Sequence, residues 1–485
     1  MTLRANLPGI TAALQDGRLG LVPANGASIH AKIGVAPRGV GVLTPVTTNA
    51  QVAELYGSGP LAGALAVALV EAQPIYAYGV AGDVPGTIGA VAQASTGPEM
   101  TVTGAPGDAH QVRVTVTRGG APGTAALRLT VGGVEGPEVA LPGNGQYPIP
   151  NLGLTLTFAA GNLTAGATYT FSTVAPALTL GALIPGVEAL IADGRPFRFL
   201  HVVGVSTPAV AAAVDSVLTA AETRTRYTRA ILEADGPAAG ESKAAWKARL
   251  NEQWKDFVSP HGRVLVVAGD RDVYNPLTQR FERRNAGWLF TSRRATRPLS
   301  ESAVRVATGA LRPGGTLHHD EYAEPGLNAA RFVTLRTYPG LAGVYVTDAP
   351  TMAAPGSDFA RLERGEVLDE VMRVAYTLAL RYVGEGMDVD EVTGQVTEAE
   401  AQAFEMFVRA GTLAQVAGDV TSVSITLDRT TNILATESIE FEVGCVPLGY
   451  AKFLSMKVGF VNPMLVAQQA APAAAASTTA PGGAA

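Results

Sequence analysis

Residues 197–234, FRFLHVVGVSTPAVAAAVDSVLTAAETRTRYTRAILEA, hold the pattern that decides the fold class. Phe197 to Val205 is a nearly continuous apolar run, as expected of a strand buried on both faces. Pro208 to Thr223 repeats small and apolar residues at helical spacing, with the proline in the first turn, where a missing N–H costs nothing. Thr228 to Ala234 reads as the next strand. Strand, helix, strand predicts two parallel strands joined by a crossover, the unit of a layered α/β sheet.

The pattern extends both ways. Downstream, Glu241 to Phe257 reads as an amphipathic helix, Val264 to Ala268 (VLVVA) as a strand, and Ser302 to Leu311 as a helix. Upstream, Ala27 to Ala36 is expected as a strand, Asn49 to Tyr56 and Pro60 to Glu71 as two helices around GSGP, and Pro74 to Val80 as a strand. Between these blocks, from about Gly82 to Pro176, no helical period occurs. Short alternating runs replace it: Gln111 to Arg118, Ala126 to Val131, Leu152 to Phe158 and Thr168 to Val174, separated by GGAPG, GGVEG and LPGNG. An antiparallel β domain inserted into the α/β unit is expected, with Val112, Val114 and Val116 inward and Arg113, Thr115 and Thr117 outward.

Beyond the connection Thr347 to Asp358 comes the most regular helix, Arg361 to Val383, with Leu368, Val371, Met372, Ala375, Leu378, Ala379 and Tyr382 at core spacing. Glu398 to Ala410 is a second helix, capped by Thr397 with Glu400 three residues on. Strands are expected around Val423 to Leu427, Ile439 to Val443 and Ala451 to Val461. The fold class is therefore multidomain α+β / α/β, a layered α/β core built from N-terminal, middle and C-terminal segments, with an inserted antiparallel β domain and extended terminal arms.

Composition narrows the function. A chain of 485 residues implies about three folding units. The net charge of −6, without a Lys/Arg run of phosphate-binding kind, argues against a nucleic-acid partner. The single cysteine, Cys445, excludes an intrachain disulfide framework and sits in an apolar run as a small hydrophobe. No secretory leader pattern occurs, and Leu61 to Val70 falls far below membrane-spanning length, so synthesis in the cytoplasm and no membrane contact are expected.

Motifs for chemistry are weak. Gly57 to Gly63 (GSGPLAG) misses the dinucleotide fingerprint by one position and contains a proline. His318, His319, Asp320 and Glu321 resemble a metal cluster, but neighbours on a strand face opposite ways, so a polar loop is expected. Trp246 and Trp254, eight apart on one helix, read as core or interface anchors. Arg280, Arg283, Arg284, Arg293, Arg294 and Arg297 concentrate positive charge in an acidic protein, either as a solvated face or as a seam to a neighbouring subunit. No catalytic residue, cofactor or metal is expected.

Order of segments points further. The opening LPGITAALQDGRLGLVP (7–23), ASIHAKIGVAPRG (27–39) and NAQVAELYGSGPLA (49–62) resembles that of phage contractile tail sheath proteins. VYVTDAPTMAAPGSDFARLERGEVLDEVMRVAYTLALRYV (344–383) resembles the sheath segment in which a loop of small residues precedes Ser-Asp and a long helix, and SIEFEVGCVPLGYAKFLSMKVGFVNP (438–463) resembles the C-terminal sheath strands. The resemblance implies a structural, non-enzymatic subunit that polymerises as a helical homo-oligomer around an inner tail tube protein and contracts, with baseplate and tail terminator proteins as further partners and a virion tail or injection particle as its location. It divides the chain into an N-terminal arm (1–26), an α/β core (27–82 with 177–350), a variable β insertion (83–176), an inner domain (351–450), a C-terminal arm strand (451–466) and a disordered tail (467–485).

On the residues alone, an arm such as 1–26 cannot bury itself, and Ala451 to Val461 can reach a neighbour, so both suit strand addition to another subunit's sheet. The linking residues are then Leu14, Gln15, Leu19 and Leu21 in the first arm and Lys452, Leu454, Met456, Val458 and Phe460 in the second. The resemblance places Arg361, Glu363, Arg364 and Glu366 toward the tube. Two other classes fit the same composition: an α/β enzyme with a β accessory domain, which would need a pocket of titratable groups, and a virion adhesin or decoration protein, which would need exposed aromatic or metal-binding loops.

Overall fold

The computed structural model describes residues 29–460 apart from 95, 96, 239 and 313; the first-arm residues Leu14, Gln15, Leu19 and Leu21 and the tail 467–485 lie outside the described residues. Two units are present, residues 1–448 and 449–485.

A six-stranded sheet forms the centre of the first unit, in the order Val264–Val267, Arg229–Glu233, Phe199–Val205, His30–Val35, Ile75–Val80, Leu43–Val46. The first five are mutually parallel and the last pairs antiparallel. Such a sheet is covered on both faces, and this explains why His30–Val35 and Val264–Val267 are buried at every position. Alternation along each strand sorts the side chains. Phe199 and Val203 pack with Leu61, Leu65, Trp288 and Phe290 from helices Pro60–Ala68 and Gly287–Ala295. Leu200 and Val202 pack with Leu183, Val187, Val214, Leu218, Trp246 and Trp254 from helices Leu180–Ala192, Pro208–Glu222 and Lys243–Trp254. Both tryptophans are core residues. Ala31 pairs with Leu200 and Ile33 with Val202, so one sheet joins strands from either side of residues 83–176.

Residues 83–176 build antiparallel sheets around their own apolar cluster, which includes Val112, Val114, Val116, Leu127, Leu156, Phe158 and Tyr169. Beyond the core, helix Leu362–Ala379 packs with helix Glu398–Gln415 and with the two-stranded sheet of Val420–Leu427 and Phe441–Pro447 around a further cluster containing Val371, Val374, Phe404, Val408 and Ile425. Thr397 accepts a hydrogen bond from the Glu400 amide, the expected cap.

Several elements differ from expectation. Ser302 to Leu311 forms only a 3-10 turn at Val306–Thr308, because its first turn is bonded elsewhere: the Ala303 amide and Ser302 hydroxyl donate to Glu363, and the Arg294 guanidinium takes the Leu299 and Glu301 carbonyls. Helix Leu180–Ala192 forms despite an internal Pro185, since Leu183, Val187, Leu190 and Ile191 are buried against the sheet. Residues 270–285 and 334–348 form hairpins, and Gly287–Ala295 a helix, inside stretches without clear period. The closing strand expected at 451–461 is absent from residues 451–460. Among the described residues, no helix is long and apolar enough to cross a membrane.

Candidate functional site

The most elaborate polar site joins the long C-terminal helix to the core sheet. Glu363, Glu366 and Asp369 recur at three-residue spacing on helix Leu362–Ala379 and therefore share a face. That face meets arginines from the ends of core elements. Arg198 grips Glu366 at both carboxylate oxygens, Nε to Oε1 at 2.9 Å and Nη2 to Oε2 at 2.6 Å, and Arg294 adds Nε to Oε2 at 2.9 Å. Arg198 also donates to the carbonyls of Arg294 (3.1 Å) and Arg297 (2.7 Å).

One turn on, Asp369 receives Arg263 Nη1 at 2.7 Å on both oxygens and Arg229 Nε at 3.1 Å. Arg229 lies so close to the helix backbone that a Cβ on Gly365 would overlap its guanidinium. The glycine is there for this close approach. Glu363 accepts from the Ser302 hydroxyl (3.1 Å) and the Ala303 amide (2.8 Å).

Burial alone would raise the Glu366 carboxyl, but the paired Arg198 and Arg294 outweigh it and hold the group below its ordinary range. Fork-to-carboxylate geometry of this kind fixes orientation as well as energy. The array therefore fixes the orientation of the helix on the sheet.

Of the four residues expected to face a tube, the helix turns two inward. Glu363 and Glu366 are buried and bound to their own chain, because their spacing places them on the core side of the first turn. Arg364 is exposed, and Arg361 is half-buried and paired with Asp348. The arginine run is likewise largely internal: Arg284 binds Asp108 (2.8 and 2.7 Å) and Glu282, Arg293 binds Glu71, Arg283 binds Asp270, and Arg294 binds Glu366. These pairs lie within one chain. His318 pairs with Asp272 (2.7 Å) and His319 with Glu321 (3.1 Å), and among the described residues no group of three metal-binding side chains converges.

Reading the sequence missed Arg198, Arg229 and Arg263, which lie singly at strand ends. An arginine at the edge of a continuous apolar strand is the signal that could have found them.

The two-stranded sheet Val420–Leu427/Phe441–Pro447 buries Val423, Ile425 and Leu427 on one face. Among the described residues, no third strand extends it on either side. In the second unit, residues 451–460 have neither helix nor strand; Leu454, Met456, Val458 and Phe460 are exposed at 82% or more, and Lys452 is half-buried.

Two family models, the DUF2586 N-terminal domain and the DUF2586 C-terminal domain, match residues 7–350 and 358–465. The chain belongs to the DUF2586 family. The fold of this DUF2586 protein is that of contractile sheath subunits. It aligns with the PVC sheath complex of an extracellular contractile injection system in its contracted state, at TM-score 0.52 and 10% identity over 94% of this chain and 98% of that one. It aligns with a chain of the anti-feeding prophage baseplate at TM-score 0.50 and 11% identity, over 94% and 99%. A sheath tail protein of Desulfitobacterium hafniense aligns over 91% of this chain and 100% of its own at TM-score 0.42 and 12% identity. No curated protein matches the DUF2586 sequence.

Proposed function

We propose that this DUF2586 protein is a tail sheath subunit that polymerises helically around an inner tube and contracts to drive that tube through a target envelope. Its place is the tail of a virion or contractile injection particle, between baseplate and tail terminator proteins. The observation that carries the reading is the unfinished two-stranded sheet Val420–Leu427/Phe441–Pro447 in a chain whose residues 451–460 bear strand patterning and form no strand. A two-stranded sheet is marginal in water, and its open edges are templates for further strands.

Arms donated by neighbouring subunits would complete it: residues 1–26 through Leu14, Gln15, Leu19 and Leu21, and residues 451–466 through Lys452, Leu454, Met456, Val458 and Phe460. Main-chain pairing of this kind survives rotation of rigid bodies, so subunits could slide from an extended to a contracted lattice while staying linked. The rigid bodies are supplied by the ion-paired joint of the long helix. Arg364 and Arg361 remain the candidates for tube contact, and their partial exposure suits a modest polar interface that must release.

Electron microscopy of the purified chain before and after deletion of residues 1–26 tests the arm mechanism. Tubes or rings from the full chain, with a folded monomer from the deletion, are expected. Tubes that form without the arm would refute strand donation by it, and a full chain that never assembles with a tube protein would refute the sheath reading.

A further inference from the structure

The parallel sheet reverses its winding between His30–Val35 and Phe199–Val205. From the first of these the chain crosses to Ile75–Val80 on one side, and from the second it proceeds through Arg229–Glu233 to Val264–Val267 on the other. Open α/β sheets bind ligands at such a reversal, in the crevice outside the carboxyl ends of the strands. A cleft of about 340 Å³ lies there. Val35, Val205 and Glu233 line it from the ends of three adjacent strands, Trp288 from a covering helix, Val174 from the end of the inserted region and Leu178 from just beyond it.

Glu233 ends a chain of buried polar groups that crosses the sheet. Lys32 Nζ lies 2.8 Å from Thr291 Oγ1 and 2.7 Å from His201 Nδ1, and His201 Nε2 lies 3.0 Å from Glu233 Oε1. That last contact lacks hydrogen-bond alignment, so Glu233 Oε1 is buried against His201 without a hydrogen-bond partner, while the carboxylate accepts from the Gly204 amide and the Trp288 side chain. Arg283 at the cleft is matched by Asp270, and Arg284 by Asp108 and Glu282; Lys32 and Arg284 also act on Glu233.

The two helices that begin there offer little to an anion. Pro60 has no N–H, and that of Val210 is taken by the Thr207 hydroxyl. A cation finds the Glu233 carboxylate at the inner end of a cleft whose walls are mostly apolar.

We propose that this cleft binds an alkylammonium or alkylguanidinium group, its head at Glu233 and its stem against Val174, Leu178 and Val205. Its volume lies within the range of small-ligand sites. Burial pushes Glu233 up to about 7, against the pull of Lys32, and a bound cation would favour the ionised form. The group could belong to a free amine or to a Lys or Arg side chain of a second copy of the chain.

Titration of the full chain with n-pentylamine and n-butylguanidinium, followed by ligand-observed NMR with valerate as the anionic control, tests the proposal. Saturable binding of both cations is expected, weakened at least tenfold by Glu233→Gln and abolished by Val205→Trp. The second variant fills the mouth from an exposed position, 63% accessible, and leaves the Lys32–His201–Glu233 chain intact, so it decides the matter if the first fails to fold. Equal binding of valerate, or cation binding that persists in Val205→Trp, would overturn the proposal. Assembly blocked by n-pentylamine at cleft-filling concentrations assigns the cation to a second copy, and assembly that proceeds unchanged assigns it to a free amine; both support the site.

Discussion

The inserted β region and the C-terminal helical region hang from the same core sheet and are fastened to it differently. Each has an apolar cluster of its own, one around Leu156, Phe158 and Tyr169, the other around Val371, Phe404 and Ile425. The buried ionic contacts at the insertion concentrate on one cation, Arg284, which grips Asp108 and lies 4.9 Å from the Trp288 ring centroid. The C-terminal helix is held by three successive carboxylates, four core arginines and a backbone amide, spread over two turns. Oil makes each region fold, whereas oriented ion pairs fix the angle at which it is held. Buried pairs contribute little net stability against a well-packed apolar replacement, so their value here lies in a single defined geometry.

The sharpest way to break the comparison is Glu366→Ala. It strands Arg198 and Arg294 in a buried site, and a loss of about 3–5 kcal/mol is expected, read as a lowered urea midpoint together with fast hydrogen exchange in helix Leu362–Ala379. A variant that melts like the parent would show the joint to be ornamental.

Leu156→Ala addresses the other side. Removing a fully buried leucine from the insertion's cluster should cost about 2–5 kcal/mol, with exchange rising in strands 111–118 and 154–158 while the core sheet keeps its protection. Exchange that spreads across the core would mean the two regions are not separately closed.

Gly365→Ala should cost about 1–3 kcal/mol by overpacking. Arg229 could move only by giving up Asp369 and the Gly262 carbonyl, its 3.1 Å and 2.6 Å partners. Pairing it with Arg229→Met should recover part of the loss, as thermal melts of the three variants would show.

The gentlest probe is acid. Burial would raise Glu366, yet its arginines hold it below the ordinary 4.5, so its contribution is complete above that value and fades as pH falls through the lower folded pKa. Exchange in helix Leu362–Ala379 is therefore expected to quicken below about pH 4.5 before the 154–158 strand responds. Simultaneous loosening would erase the distinction between the two fastenings.

Local pattern made much of this legible. Asn49–Tyr56 and the strand Gln111–Arg118 stand where their periods place them, and the Thr397 cap was readable because a cap needs only its own next three residues. Elements that broke local rules were not. Helix Leu180–Ala192 contains Pro185 and exists because the sheet buries its apolar side, while the 302–311 stretch loses its helix to side chains from Glu363 and Arg294.

The alternation of strand, helix and strand, the β insertion and the carboxylate-bearing helix were determined by the sequence, since each rests on contacts among near neighbours along the chain. Which carboxylates face inward and which arginine meets each of them was decided only by the tertiary structure. Glu366 finds Arg198 across 168 positions and Arg294 across 72, and no periodicity within either segment encodes a partner that far away. Direction within a helix is local physics, but pairing of buried charges belongs to the assembled core.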